Sequence, residues 1–156
     1  MKSVPEILNL EVSVEDIIPL RHEILRPGMP VTSAHFDGDR DAMTYHFATY
    51  IKEYPEEPIC CVSYMYTQYG TEAAYQLRGM ATTKHYQKQG IGKQLTDFAE
   101  QYIREGRNIH LFWCNARVSA IGFYINQGWD IVSNEFIVPT VGPHKKMLKR
   151  YPNKIL

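Results

Sequence analysis

One segment constrains this chain more than any other: a strand-like run passes through a short loop into a helix, with two glycines where the helix begins. It reads Ala81-Thr-Thr-Lys-His-Tyr-Gln87-Lys-Gln-Gly90-Ile-Gly92-Lys-Gln-Leu95. Backbone N–H groups at a helix start have no intrahelical partner and carry the positive end of the helix dipole. Glycines there remove the side chains that would hold an anion off, so the turn can wrap a phosphate. The segment therefore predicts a strand–loop–helix unit that binds a phosphorylated ligand. A glycine-rich turn with no ligand is the plainer alternative.

Two familiar phosphate motifs fail on spacing. A dinucleotide fingerprint needs a third glycine three positions after Gly92, where this chain has Leu95. A Walker loop needs glycine five positions before the Gly-Lys pair and Ser or Thr after it, but Gln87 and Gln94 stand there. What remains is Gln-x-x-Gly-x-Gly, from Gln87 to Gly92.

The rest of the chain bounds the setting. At 156 residues it reads as a single domain over 1–156. Seventeen basic and seventeen acidic side chains cancel, so no overall pull toward nucleic acid or a membrane is expected. No apolar run approaches the roughly 18 residues that span a bilayer, and Met1-Lys-Ser-Val-Pro-Glu lacks a signal peptide's apolar stretch. Three cysteines make a poor disulfide scaffold and fit a reducing cytosol. Cys60 and Cys61 adjoin on a predicted strand and so point to opposite faces, packed as small apolar residues.

The periodicities predict a strand at Ile7–Val12 and a helix capped by Ser13, with Asp16 in its first turn and an apolar face from Ile17 to Leu25. Arg26-Pro27-Gly28 stops that helix, and a loop runs from Val31 to Arg40. Strands at Ala42–Lys52, Ile59–Gln68 and Ala73–Thr82 form an antiparallel meander. The helix after the glycine loop places Ile91, Leu95, Phe98, Ala99, Tyr102 and Ile103 on its apolar face. Lys93, Asp97, Glu100, Gln101 and Arg104 fall on its polar side, and Gly106 ends it. A strand at Ile109–Cys114 then runs parallel to Ala73–Thr82, because a strand–helix–strand crossover requires it. A helix at Ala116–Gln127 and strands at Trp129–Val138 and Lys145–Leu148 complete the order. The fold class is α+β: a mixed, mostly antiparallel sheet with a central parallel crossover, flanked by helices.

Three segments in this order resemble the GNAT superfamily of acyl-CoA N-acyltransferases, bacterial members of unassigned substrate included. Gln87–Gly92 is similar to its diphosphate loop, and Leu77-Arg-Gly-Met80-Ala-Thr82 to its central strand. Ala120-Ile-Gly-Phe123-Tyr124-Ile-Asn-Gln-Gly128-Trp129 is similar to its Ala-x-x-Phe-Tyr-x-x-x-Gly-aromatic segment. The resemblance implies acetyl-CoA as co-substrate and no metal. The diphosphate would lie on the amides of Gln89, Gly90, Ile91, Gly92 and Lys93, with Gln87 and Lys88 also in the cofactor-binding loop, and the pantetheine arm would pair with Met80, Ala81 and Thr82 as an added strand. For that, the parallel strands must splay, and Gly79 is the candidate bulge.

The resemblance also implies that Tyr124 is the acid for the departing thiolate, since a phenol with pKa about 10 stays protonated at neutral pH. The alternative is that Tyr124 packs on the helix face beside Phe123. Asn115 either caps the last helix or reaches the pantetheine arm, and the chain departs from a common family pattern in having Arg117 seven residues before the tyrosine. No carboxylate lies between Ala73 and Thr82; His144, in a turn before the last strand, is the candidate general base, with water or an already neutral amine as the alternative. His46, His85 and His110 read as structural or surface residues. Tyr64 and Tyr66 share a strand face and either line an acceptor pocket or serve the sheet. Cys114 reads as a buried thiol, with an acyl-cysteine route as the alternative.

The expectation is an N-acetyltransferase of the cytosol, working by direct attack in a ternary complex on a small-molecule amine or peptide, as a monomer or homodimer. A non-catalytic acyl-CoA sensor and a nucleotide-binding module are the rivals.

Overall fold

The computed structural model describes residues 5–152. Strand β1 (Ile7–Val12) leads into α1 (Val14–Leu25), whose start is fixed by the Asp16 carboxylate: it accepts from the N–H and the hydroxyl of Ser13, at 3.3 and 3.1 Å. Strands β2 (Tyr45–Ile51), β3 (Cys60–Tyr69) and β4 (Glu72–Thr82) form the meander. Helix α2 (Ile91–Arg107), β5 (Leu111–Arg117), the short α3 (Ile121–Ile125), β6 (Asp130–Ile131), β7 (Phe136–Val138) and β8 (Gly142–Arg150) follow.

The eight strands make one sheet, ordered β1-β2-β3-β4-β5-β8-β6 with β7 also on β8. Every pairing is antiparallel except β4 with β5, the pair that α2 joins. This is the mixed sheet with a central parallel crossover that the element order implied. Its two faces carry separate cores. Val14, Ile17, Ile18 and Leu20 of α1 pack on Ala48, Cys61 and Ala81. Ile91, Leu95, Ala99 and Ile103 of α2 pack on Phe47, Val62, Tyr75 and Phe112. Cys60 faces the second core and Cys61 the first, as alternation requires.

Several boundaries differ from expectation. Helix α2 runs through Gly106, because Asn108 takes the left-handed capping position (φ +54°) and its N–H closes on the Arg104 carbonyl at 3.0 Å. Ala116 and Arg117 are strand residues, since the β5–β8 ladder carries them opposite Lys145 and His144. The predicted helix at Ala116–Gln127 thus shrinks to a 3-10 turn (Val118–Ala120) and α3. The predicted strand at Trp129–Val138 is two short strands, each pairing a different part of β8.

Glu100 does not lie on the polar side of α2. It is fully buried, accepting from the Tyr64 and Tyr151 hydroxyls at 2.7 and 2.6 Å and pairing with Lys149 Nζ at 3.1 Å. Three partners replace the water that burial removes. Tyr64 is accordingly a core residue, and Tyr66 is exposed beside Tyr75. Neither lines an acceptor pocket.

Two features of β4 shape the site. Its ladder with β5 consists of Tyr75 opposite Phe112 and Gln76 opposite Trp113, and beyond Gln76 the strands part. Its ladder with β3 continues to Thr82, but Arg78 pairs with Ser63 and Ala81 with Cys61, so Gly79 and Met80 face Val62 alone. This is the bulge expected at Gly79, with φ +64°. A Cβ there would lie 3.0 Å from Arg21 Nε and 3.1 Å from Phe36 Cε2.

Under the bulge lies a buried polar chain. Arg21 donates to both Asp39 oxygens (2.7 and 3.1 Å), to the Ala34 carbonyl (2.9 Å) and to Ser63 Oγ (2.8 Å). With its oxygen accepting from Arg21, Ser63 donates its own proton to His46 Nδ1 at 2.6 Å, and His46 Nε2–H donates to the Asp39 carbonyl at 2.8 Å. Burial lowers the His46 pKa, consistent with a neutral ring in this chain.

Candidate active site

The parting of β4 and β5 opens two cavities that meet at Leu25, Met80, Arg117, Ala120 and Tyr124. The larger, about 640 Å³, runs from the start of α2 along Thr82 and Phe123 to Tyr124. The smaller, about 330 Å³, lies between the end of α1, the bulge of β4, and β5 and β8.

The glycine loop lies at one end of the larger groove. The first helical bond of α2 runs from the Gln94 N–H to the Gly90 carbonyl at 3.1 Å, so the amides of Ile91, Gly92 and Lys93 have no partner within the helix. The two glycines act differently. Gly90 has φ +80° and open space where a Cβ would stand, so the loop turns there without blocking the amides. Gly92 has ordinary helical geometry, but a Cβ would come 2.7 Å from Met80 Cε and 3.3 Å from Phe123 Cζ. Lys88 is left-handed as well, at φ +62°.

The side chains of the loop mostly hold the loop itself. Gln87 Nε2 donates to the Thr82 carbonyl at 3.0 Å, Gln89 Nε2 to the His85 carbonyl at 3.1 Å, and Lys93 pairs with Asp97 at 2.7 Å. The Thr83 N–H reaches the Ile59 carbonyl at 2.8 Å. Strand alternation then turns the main chain of Ala81 toward β3 and that of Thr82 toward the open edge. These features fit an acyl-CoA: freed amides for a diphosphate, and an unpaired strand edge for an amide-bearing arm.

Tyr124 stands where the cavities meet. Its carbonyl accepts from the N–H groups of Gln127 and Trp129 at 3.0 and 3.1 Å, as Gly128 (φ +88°) turns the chain out of α3. Its ring sits edge-on to Phe123 and Trp129, with centroids 5.2 and 5.4 Å away. Burial, followed by the nearby Cys114 thiol and Glu100 carboxylate, pushes its hydroxyl well above the ordinary tyrosine range. The group therefore stays protonated at any physiological pH.

His144 is buried within β8, opposite Arg117 of β5 and Phe136 of β7, and not in the turn before the strand. Its Nδ1–H donates to the Gly142 carbonyl at 2.8 Å, which leaves the Nε2 lone pair as the basic site, and its ring stacks on Phe136. Asn115 is an exposed β5 residue opposite Lys146, so it caps no helix; it lines the smaller cavity. Cys114 is buried at the same cavity, and burial pushes its thiol far above the usual range. A thiol so held is a poor nucleophile. His85 and His110 line neither cavity.

Sequence reasoning missed three members of the smaller cavity: Arg26, Phe36 and Arg78. Arg78 carried a signal, as the one charged residue in β4 after Glu72. Arg26 and Phe36 carried none, since each stands among ordinary loop residues.

Among the described residues, no group of three or more His, Cys, Asp or Glu is arranged to hold a metal ion. No helix among them is long and apolar enough to cross a membrane.

Known proteins share this arrangement. A family profile described as an acetyltransferase (GNAT) domain matches residues 45–131. The uncharacterized N-acetyltransferase YitI of Bacillus subtilis (strain 168) is 34% identical over 141 residues, 88% of this chain and 92% of its own. The crystal structure of Escherichia coli ElaA superposes with a TM-score of 0.73 at 13% identity, covering 94% of this chain and 100% of that one. An aminoglycoside 6'-N-acetyltransferase complexed with coenzyme A superposes with a TM-score of 0.69 at 14% identity, covering 95% and 99%. The chain belongs to the GNAT family, and is an acyl-CoA-dependent N-acyltransferase.

Proposed function

We propose that the protein moves an acetyl group from acetyl-CoA to a primary amine, by direct attack in a ternary complex. The observation that carries this is the position of Tyr124, a phenol held protonated where the cofactor-sized groove meets a second cavity lined by His144. Acetyl-CoA, when bound, supplies a thioester carbonyl whose C–S bond breaks as the new C–N bond forms. Gly90, Ile91, Gly92 and Lys93 hold the diphosphate through their amides, with Gln87, Lys88 and Gln89 shaping the turn. Met80, Ala81 and Thr82 carry the open edge for the pantetheine arm, and Asn115 stands at its far end. A backbone N–H at Met80 serves the carbonyl oxygen, a contribution typically worth about 3 kcal/mol. His144 Nε2 takes the proton that the amine nitrogen loses, and Tyr124 Oη gives its proton to the departing sulfur. Solvent then returns the proton from His144 to Tyr124, so both groups end as they began.

The two cavities together leave space for donor and acceptor at once, which supports direct transfer over an acyl-cysteine route. All three cysteines are free and buried, which supports a reducing compartment such as the cytosol. The test is thiol release from acetyl-CoA against a panel of amines and peptides. Amine-dependent release that falls at least tenfold in Tyr124→Phe is the expected result. Coenzyme A binding with no turnover on any acceptor would overturn it in favour of a sensor.

A further inference from the structure

The smaller cavity has an unbalanced charge. Arg26 reaches it from the C-cap of α1, Arg78 from the residue before the bulge, and Arg117 from the end of β5, while no Asp or Glu lines it. The three guanidinium groups make hydrogen bonds only to neutral acceptors. Arg26 Nη1 and Arg117 Nη2 donate to the Leu25 carbonyl at 3.0 and 3.4 Å, and Arg78 Nη1 lies 3.5 Å from the Asp37 carbonyl and 3.6 Å from Met65 Sδ. None of them has an ion-pair partner among the described residues.

The nearest carboxylates, Asp39 and Asp37, offset Arg78 only in part, since burial and Arg21 outweigh them and its proton affinity is still lowered. Asp39 is spent on both nitrogens of buried Arg21, and Asp37 is an exposed loop residue whose carbonyl, not its carboxylate, meets Arg78. The Phe36 ring gathers two of these cations beside Arg21, with guanidinium carbons 4.7 Å (Arg78), 5.4 Å (Arg26) and 4.0 Å (Arg21) from its centroid. Burial lowers the affinity of Arg26 for its proton, and its neighbours Arg117, Arg78 and Arg21 lower it further. Arginine nonetheless stays charged at ordinary pH, so the mutual repulsion persists. Arg26 and Arg78 line only the smaller cavity and the residues of α2 only the larger, while Arg117 borders both, so the diphosphate loop is separate from the Arg26–Arg78 pair.

We propose that the amine acceptor carries an anionic group, a carboxylate or a phosphate, which Arg26 and Arg78 bind with Arg117 while its amine faces Tyr124 and His144. This rests on the acetyl-transfer reading for the identity of the ligand as an acceptor. Guanidinium forks match planar and tetrahedral oxyanions by paired hydrogen bonds. Leu77, Val138 and Val141 supply an apolar wall between the charged end and the reacting end. A cavity of about 330 Å³ suits an acceptor of amino-acid size. A polyamine or an aminocyclitol would instead bring cations against cations.

The experiment compares matched acceptors with acetyl-CoA, reading thiol release: free amino acids against their amides, 2-aminoethyl phosphate against ethanolamine, and spermidine as the cationic arm. The acid or the phosphate is expected to exceed its neutral partner at least tenfold in kcat/KM, through KM, and the better anionic arm identifies the group. In Arg78→Gln and Arg26→Gln, each checked for an unchanged melting temperature, that ratio falls at least tenfold. Equal or better turnover of neutral or cationic acceptors overturns the proposal, as does a ratio unmoved in both variants.

Calorimetry separates this from the chemistry. N-acetyl amino acids and their amides are titrated into the coenzyme A-loaded protein and the same variants. Selective binding of the acids, lost in the variants, upholds the anion site even where no acceptor turns over, in which case only the acetyl-transfer reading fails. Absence of selective binding, together with absence of selective turnover, overturns the anion site itself.

Discussion

The two cavities that meet at Tyr124 recognise by different means. The larger groove presents main chain: unpartnered amides at the start of α2 and the strand edge from Met80 to Thr82. The smaller presents side chains, converging from α1, the Phe36 loop, β4, β5 and β8. Recognition by backbone requires particular φ angles and missing Cβ atoms, and so fixes residue types at fixed spacings. Recognition by side chains requires only that they converge, and a chain can meet that from any set of positions. One half of such an enzyme can therefore stay constant in pattern while the other changes its ligand.

Substitutions can break this division, and the largest effect belongs to Tyr124, which borders both cavities. Tyr124→Phe is expected to lower kcat about a hundredfold, as loss of a positioned proton donor typically does, with the KM of both substrates little changed. An equal rise in either KM would reassign Tyr124 to one cavity. Gly92→Val comes next. Its side chain must displace Met80 Cε, 2.7 Å from the Cβ position, and overpacking of this kind costs about 1–3 kcal/mol. About a tenfold rise in the KM for acetyl-CoA is expected, with the acceptor KM unmoved.

A smaller effect tests the floor of the acceptor side. His46 is held neutral below its ordinary pKa, chiefly by burial, so below about pH 6.5 the unfolded chain binds a proton that the folded one resists. Stability is unaffected by this group above that pH and declines as pH falls below it. Urea midpoints between pH 7 and pH 5 should drop in the wild type and drop less in His46→Gln, although that variant is weaker throughout. Hydrogen-exchange protection in acid should fall at the bonded amides of Phe36 and Asp39 before it does at Gln94 in α2. Cys114→Ala should have the least effect, leaving kcat within about twofold; a large loss would revive a covalent route through the thiol.

The glycine loop and the sheet were legible in the sequence for the reason the comparison gives. Gln87, Gly90 and Gly92 are spaced by what a helix start requires, and Gly79 marked its bulge because only a residue without a Cβ fits beside Arg21 and Phe36. Local patterns misled where long-range pairing prevailed. Ala116 and Arg117 look helical beside their neighbours, yet the ladder to β8 claims them. Glu100 falls on the polar stripe of α2 by periodicity, and only Tyr64, Tyr151 and Lys149, distant in sequence, make its burial tolerable. The arginine cluster was illegible because Arg26, Arg78 and Arg117 are brought together by the fold alone.

The brief ladder between β4 and β5 bears on how durable the molecule is. Tyr75–Phe112 and Gln76–Trp113 are the rungs that join one half of the sheet to the other, and the seam below them is closed by no strand among the described residues. A ligand that lies in the seam binds the folded chain and has nothing comparable to hold in the unfolded one. At a hundredfold excess over its Kd it adds about 2.7 kcal/mol to the free energy of unfolding, a large share of what a domain of this size possesses. With the acyl donor in that seam, as proposed, the protein's resistance to heat and proteolysis rises and falls with the supply of the donor.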